Sequence, residues 1–445
     1  MHMPPRPGDF AIVRGNGPGH QPPAPDPEAA TARLWQALRP ERWPLAPACF
    51  PPGTALVGGA VRDGLLGRLG DTPDLDLVVT GDAIALCRSL RERHGGACVV
   101  LDAERSMARL VLQGWSLDLA RMEPGGLRQD LERRDYTINA MALPLAAGEP
   151  LLDPHGGLAH LAAGELVAIS EANLLDDPLR LLRGVRLASE LGMRLEHRTA
   201  DWIRQHHRTL ESVAPERVLA ELTKLATTPL GHQGLQRALE IGLLTPWRGG
   251  GSGSAAALLP LLTPERAQAL GLSAAERERA LPLARLCALL PPRALGKLRA
   301  SRQLQQACTR LGPWQERLTK GDASEGPPPP TGEDPERLAE GERLALHRQL
   351  EPELPALLLQ LPHAQAAAWL QRWRDPSDPL FHPKPPLNGA DLQSALALAP
   401  SPRLGALLDH LTRERAFGRL HARAEALEAA RHWLATTADG GGGWR

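Results

Sequence analysis

The chain has 445 residues, and its 51 Lys and Arg are balanced by 51 Asp and Glu, so it does not hold nucleic acid by bulk charge and any phosphate recognition is local. At roughly 100–200 residues per domain this length suggests two to four domains. Trp, Phe and Tyr number 10, 4 and 1, too few for an OB- or RRM-type stacking platform.

Residues 1–27 are dense in Pro and Gly and read as a disordered leader. A short helix is expected over Ala29–Leu38. Short β-type runs follow at Ala55–Val57, Leu75–Val79, Ala97–Leu101, Leu110–Leu112 and Ser116–Leu119, with a helix over Asp82–Arg93 and a hairpin turn at Gln113-Gly114. This mixed α/β unit ends near Leu145. From Leu175 onward the period is helical, broken at Gly249–Ser254, at Gly326–Pro335 and at Pro376–Gly389. A helix is expected over 178–191, with Asp177 as its cap, Pro178 in its first turn and Gly192 as its stop. Leu181, Leu182, Val185 and Ala188 would form its buried stripe, with Arg180, Arg183 and Leu187 facing elsewhere. The five cysteines form no Cys-x-x-Cys pair, which excludes a zinc ribbon and a thioredoxin-type site, and they are expected to be free buried thiols in a reducing cytoplasm. No run is apolar for the ~20 residues of a membrane helix, so the expectation is a soluble, cytoplasmic protein with no membrane partner.

Two motifs in the α/β unit carry chemistry. Leu56 to Asp63 runs from a strand into a helix through Gly58-Gly59, a turn whose amides can approach an anion, with Arg62 able to fork onto a phosphate oxygen. The same glycines also suit an ordinary turn, and no Gly-x4-Gly-Lys-Ser/Thr sequence exists, so a P-loop is excluded. Asp74 and Asp76 lie two apart at a strand start, which puts both carboxylates on one face. A divalent cation would relieve their repulsion, and magnesium commonly takes one or two carboxylates plus substrate phosphates. A solvated strand end is the other reading of the pair. Asp118, on the second strand of the expected hairpin, would add a third carboxylate.

Three further segments stand in order behind these: Arg133 to Ala142, Asp176 to Arg186, and Glu216-Arg217 through Glu221 to Leu225. Together the five resemble the class II tRNA nucleotidyltransferases, which comprise the CCA-adding enzymes and the bacterial poly(A) polymerases. The resemblance covers about residues 54–226, with a weaker likeness from Leu387 to Trp433. It implies an α/β head of the DNA polymerase beta nucleotidyltransferase type followed by all-helical neck, body and tail. The corresponding boundaries are a leader over 1–27, a head over 28–145, a neck over 146–226, a body over 227–386 and a tRNA-binding tail over 387–445.

The resemblance further implies Mg2+ on Asp74 and Asp76, with Asp118 as the third catalytic carboxylate. Gly58, Gly59 and Arg62 match the triphosphate turn, and Arg134 and Asp135 match the motif near the ribose. Asp177 and Arg180 match the pair that reads the base edge, while Arg183 and Arg186 are further nucleotide, RNA or structural contacts. The substrates implied are tRNA and CTP, with ATP left open. Family members usually carry Glu at position 176 and Phe at position 136, where this chain has Asp176 and Tyr136. Only Met122–Gly126 joins the Asp118 strand to the next segment, where CCA-adding members commonly have a longer loop. That shortening points to the CC-adding type, with the full CCA-adding enzyme and the poly(A) polymerase as alternatives. The family's occasional HD phosphohydrolase domain is not expected, since the sequence has no His-Asp dipeptide.

Overall fold

The computed structural model describes residues 26–248, 254–319 and 335–438. Nearly all of the expected leader, most of the 249–254 break and most of the 326–335 break lie outside them. The chain divides into two compact units. One comprises the residues to Glu221 together with Arg237–Pro246, and the other comprises Leu222–Gln236 and the residues from Trp247 on.

The first unit opens with helix α1 (Pro27–Leu38), which starts at the end of the expected leader. The Asp26 carboxylate caps it by accepting from the Glu28 amide at 3.1 Å. Six strands then form one sheet: β1 (Ala55–Val57), β2 (Leu75–Val79), β3 (Ala97–Asp102), β4 (Met107–Leu112), β5 (Trp115–Arg121) and β6 (Ala142–Pro144), in the order β3-β4-β5-β2-β1-β6. β2 and β5 run parallel and the other neighbours antiparallel. Strand alternation sorts the side chains. Leu56, Leu75, Leu77, Val79, Leu110, Leu112, Leu117 and Leu119 enter one core with α1, α2 (Gly59–Leu65) and α3 (Ala83–His94). Ala55, Val57 and Val78 share a second, smaller core on the other face with Leu131, Ala140 and Ala142. That other face also carries the polar residues of β2, β4 and β5. Gln113 and Gly114 close the β4–β5 hairpin with φ of +52° and +83°, the left-handed pair that a two-residue hairpin turn requires.

Beyond the sheet, α4 (Leu127–Glu132), α5 (Gly157–Ala163), α6 (Glu171–Asp176), α7 (Leu179–Leu191), α8 (His197–His206) and α9 (Pro215–Thr227) follow. Two short parallel strands, β7 (Glu165–Leu166) and β8 (Arg194–Leu195), join this helical stretch. α7 stops at Gly192, whose φ of +68° suits a residue without a side chain. Leu187, expected to face away, is buried, so the apolar stripe of α7 is wider than the spacing suggested.

The second unit is helical among its described residues. At its centre the helix Ala274–Leu289 starts on a Ser273–Glu276 capping box and carries the buried Arg285. That guanidinium donates to the carbonyls of Leu262 at 2.9 Å, Ala226 at 2.7 Å and Thr228 at 2.8 Å. The expectation of free thiols is corrected here: Cys287 and Cys308 form a disulfide between this helix and Arg302–Thr319. Neighbours in space, they lie 21 residues apart in sequence, a separation that carried no signal. Cys87 is free and buried, whereas Cys49 and Cys98 are free but partly exposed. Leu387, Leu392, Leu407, Leu411, Ala426 and Ala430 form a separate small core near the C-terminus.

Candidate active-site cleft

The strand register builds the site. Asp118 on β5 pairs in register with Asp76 on β2, and Arg109 on β4 pairs with Asp118, so one row across the sheet reads Arg109, Asp118, Asp76. Asp74 precedes Asp76 by two residues and shares its face. Together with Gly59, Arg62, Asp63 and Arg68 they line a cleft of about 350 Å³. The three carboxylates expected to converge do so. Burial first, then the charge of Asp118, pushes the Asp76 carboxyl above the usual carboxylate range, and Arg134 pulls the other way.

Gly58 has a φ of +73°, and a Cβ there would stand 2.9 Å from Asp76 Oδ2 and 3.7 Å from Arg134 Nη1. A side chain at this position would therefore be strained and would also crowd the carboxylate. Arg62 reaches the cleft but is already engaged. Its Nε and Nη2 each donate to Asp63 at 2.9 Å and its Nη1 donates to Asn139 Oδ1 at 2.8 Å. Arg134 is held by Asp130 at 3.0 Å. The buried Asp135 is ion-paired with Arg183 at 2.9 Å and accepts a hydrogen bond from the Tyr136 amide at 2.8 Å.

The start of α7 is tied to this segment. The Tyr136 hydroxyl donates to the Arg180 carbonyl at 2.8 Å. Asp177 and Arg180, expected to act as a pair, are held by different partners. Asp177 accepts from Arg217 at 2.8 Å and from the Leu179 amide at 3.3 Å, and Arg180 donates to the Asn173 carbonyl at 2.8 Å. Asn173 in turn donates to the carbonyls of Glu132 and Arg134, each at 2.7 Å. Arg186 bridges Glu190 and Glu221.

The Met122–Gly126 connection is a tight turn. Met122 donates to the Val79 carbonyl at 2.9 Å, Gly126 to the Glu123 carbonyl at 2.9 Å, and Glu123 pairs with Arg133 at 2.8 Å.

Sequence reasoning missed Arg109, Asn173 and the positioning role of Arg217. Arg109 had a usable signal: once Gln113-Gly114 is accepted as a two-residue turn, counting back along β4 sets Arg109 opposite Asp118. Asn173 had none, because its contacts join segments 39 and 41 residues apart.

Residues 54–167 match the poly A polymerase head domain family, and residues 192–247 match the family described as the probable RNA and SrmB-binding site of polymerase A. The chain is 42 % identical over 200 residues to a CC-adding tRNA nucleotidyltransferase of Synechocystis sp., covering 45 % of this chain and 48 % of that protein. It is 40 % identical over 208 residues to an A-adding tRNA nucleotidyltransferase of Deinococcus radiodurans, covering 46 % of each. The matches thus span about half the length of these curated relatives. Among solved structures, the Thermotoga maritima CCA-adding enzyme complexed with tRNA superposes with a TM-score of 0.63 at 19 % identity over 93 % of this chain and 97 % of that one. A CCA-adding enzyme with CTP gives 0.68 at 20 % identity over 90 % and 98 %. The fold is therefore that of the CCA-adding enzymes.

Proposed function

We infer that this chain, which matches the poly A polymerase head family over residues 54–167 and is 42 % identical over 200 residues to a CC-adding tRNA nucleotidyltransferase, transfers CMP from CTP to the 3′ end of tRNA in its head cleft and builds the CC of the CCA end. The observation that carries the reading is the convergence of Asp74, Asp76 and Asp118 in one cleft beside the Gly58-Gly59 turn. The tRNA 3′-hydroxyl attacks the α-phosphorus in line, the new P–O bond forms, and pyrophosphate leaves.

The donor set fits a hard divalent cation: carboxylate oxygens only, with Asp76 raised by burial and like charge in the absence of one. Among the described residues no group of three or more His, Cys, Asp or Glu forms a ready metal cage. Asp74 and Asp76 would hold magnesium, with remaining oxygens from the substrate. When bound it would lower the hydroxyl pKa and offset the charge of the departing pyrophosphate.

The chain's own residues supply position. Gly58 lets the turn backbone approach the phosphates, and Gly59 and Arg62 stand at the cleft beside it. Arg134 and Asp135 would flank the ribose. Arg183, held on Asp135, would brace that segment, and Arg186 would brace α7 against α9 through Glu221. Asp177 as acceptor and Arg180 as donor would read the cytosine edge, in place of a template strand. Arg217 and the Asn173 carbonyl orient these two groups.

The CC-adding assignment is supported by the tight Met122–Gly126 turn, pinned at both ends, and by the CC-adding relative named above. The A-adding relative, matched at a similar level, keeps A addition to a CC end as the second reading. A tRNA transcript ending at the discriminator base, incubated with CTP, ATP or both, decides the matter by mass analysis of its 3′ end. CC is expected in every reaction containing CTP. A full CCA end made by this protein alone would overturn the CC-adding assignment, and no CMP addition at all would overturn the activity. No helix among the described residues is long and apolar enough to cross a membrane; a tRNA substrate would place the enzyme in the cytoplasm.

A further inference from the structure

We propose that Arg109 is the resident counter-charge of the head cleft: by forking onto Asp118 it withholds the third carboxylate from cation binding, so the nucleotide-free cleft takes a single divalent ion. The proposal rests on the nucleotidyl-transfer reading, because it concerns the cation that reading calls for.

Geometry is the first support. Arg109 Nε and Nη2 donate to the two oxygens of Asp118 at 2.6 and 2.8 Å, a bidentate fork that engages both ends of the carboxylate. The register makes this the natural contact, since the two residues lie opposite each other on adjacent strands of the hairpin. Charge is the second support. Asp74, Asp76 and Asp118 bring three negative charges to one face of the sheet, and Arg109 removes one, leaving the two that a divalent cation neutralises. Of the other arginines near the three carboxylates, Arg62 is paired with Asp63, Arg134 with Asp130 and Arg183 with Asp135, while Arg68 donates to the Glu190 carbonyl.

The fork is displaceable. The Arg109 and Asp118 side chains keep 41 % and 23 % of their exposure, so solvent screens their attraction. A nucleoside triphosphate entering the cleft brings phosphate oxygens that compete for the same guanidinium. Asp118 then becomes available to a second cation only once nucleotide has arrived.

Manganese binding to the full chain without nucleotide, followed by electron paramagnetic resonance, tests this without reference to turnover. Wild-type protein is expected to bind a single ion. Arg109→Met and Arg109→Gln are each expected to bind manganese at least about tenfold more tightly, or to take a second ion, since a like-signed charge has left and a ligand is freed. Adding Asp118→Asn to either is expected to remove the gain. Both single variants are expected to fold, because the pair is partly exposed, and thermal melts check this.

Unchanged or weaker manganese binding in both single variants, a gain that survives Asp118→Asn, or loss of the fold in both would overturn the proposal. CMP incorporation by wild-type protein is read separately. Incorporation without the manganese gain leaves the proposed function standing and removes the role of Arg109. The gain without incorporation keeps the charge arrangement and removes the function.

Discussion

Asp76 gives up stability that a cation would restore. Its carboxyl is raised from the ordinary 3.8 by burial and by Asp118, so at neutral pH the folded state carries a charge it disfavours. The sign follows from proton linkage. Above its raised folded pKa the penalty is complete, and below 3.8 both states are protonated and it disappears. Asp76→Asn is therefore expected to raise the thermal midpoint at pH 7 in chelator and to lose that gain in acid, a comparison two melts supply. In the same variant, and in Asp74→Ala, CMP addition is expected to fall more than tenfold, about 1.4 kcal/mol of barrier. Retained activity in either would remove that residue from the metal site. Arg180 and Arg183 separate reading from bracing. Arg180→Ala is expected to erode the preference for CTP by about 1–3 kcal/mol, seen as competing incorporation from mixed nucleotides. Arg183→Ala strips the buried Asp135 of its ion-pair partner and is expected to cost about 1–3 kcal/mol of stability with base choice intact. The facing of Asp74 and Asp76 was legible from strand period alone. The partners of Asp177 and Arg180 were not, since period fixes a face and says nothing about what another segment sets against it.

Helix α7 shows how an element is fixed in place by residues remote in sequence. A Cβ on Gly184 would stand 2.0 Å from the Tyr136 hydroxyl oxygen and 2.8 Å from its ring carbon, so this helical glycine is the space the tyrosine occupies. Gly184→Ala is expected to destabilise the first unit by about 1–3 kcal/mol, the usual cost of overpacking. Tyr136→Phe, which lacks the hydroxyl, is expected to recover part of that loss in the double variant. A double-mutant cycle by urea unfolding measures the coupling, and strict additivity would show that the two residues do not meet. The limits of α7 were readable from Pro178 and Gly192, and its buried stripe from spacing. The burial of Leu187 was not, because the width of an apolar stripe depends on how many neighbours surround the helix.

At the scale of the whole molecule, two buried histidines are expected to weaken the fold in acid. His347 lies fully buried with ring centroids 4.8 Å from Trp369 and 4.0 Å from Phe381, and neither ring nitrogen has a hydrogen-bond partner. Burial, then Arg343 and Arg372, pushes its pKa down to about 3, and burial with Arg285 pushes His232 down to about 4. Unfolded, each titrates near 6.5, so between that value and the folded one the unfolded chain binds a proton the native chain refuses. Stability is expected to fall as pH drops through this window, by about 2 kcal/mol per histidine at pH 5. Urea titrations at pH 7 and pH 5 measure the slope, and His347→Leu is expected to remove its share. No sequence pattern distinguished these two histidines from the other thirteen, because burial belongs to the packed chain. By itself the sequence determined the strand faces, the Gly58-Gly59 turn, the Asp74/Asp76 pair and the limits of α7, since all of these depend on local period or local backbone freedom. Only the tertiary structure decided that Arg109 meets Asp118, that Tyr136 fills the space over Gly184, that Cys287 joins Cys308 and that His347 is buried among aromatic rings. Each of those is a contact between residues whose distance along the chain carries no energy until the fold brings them together.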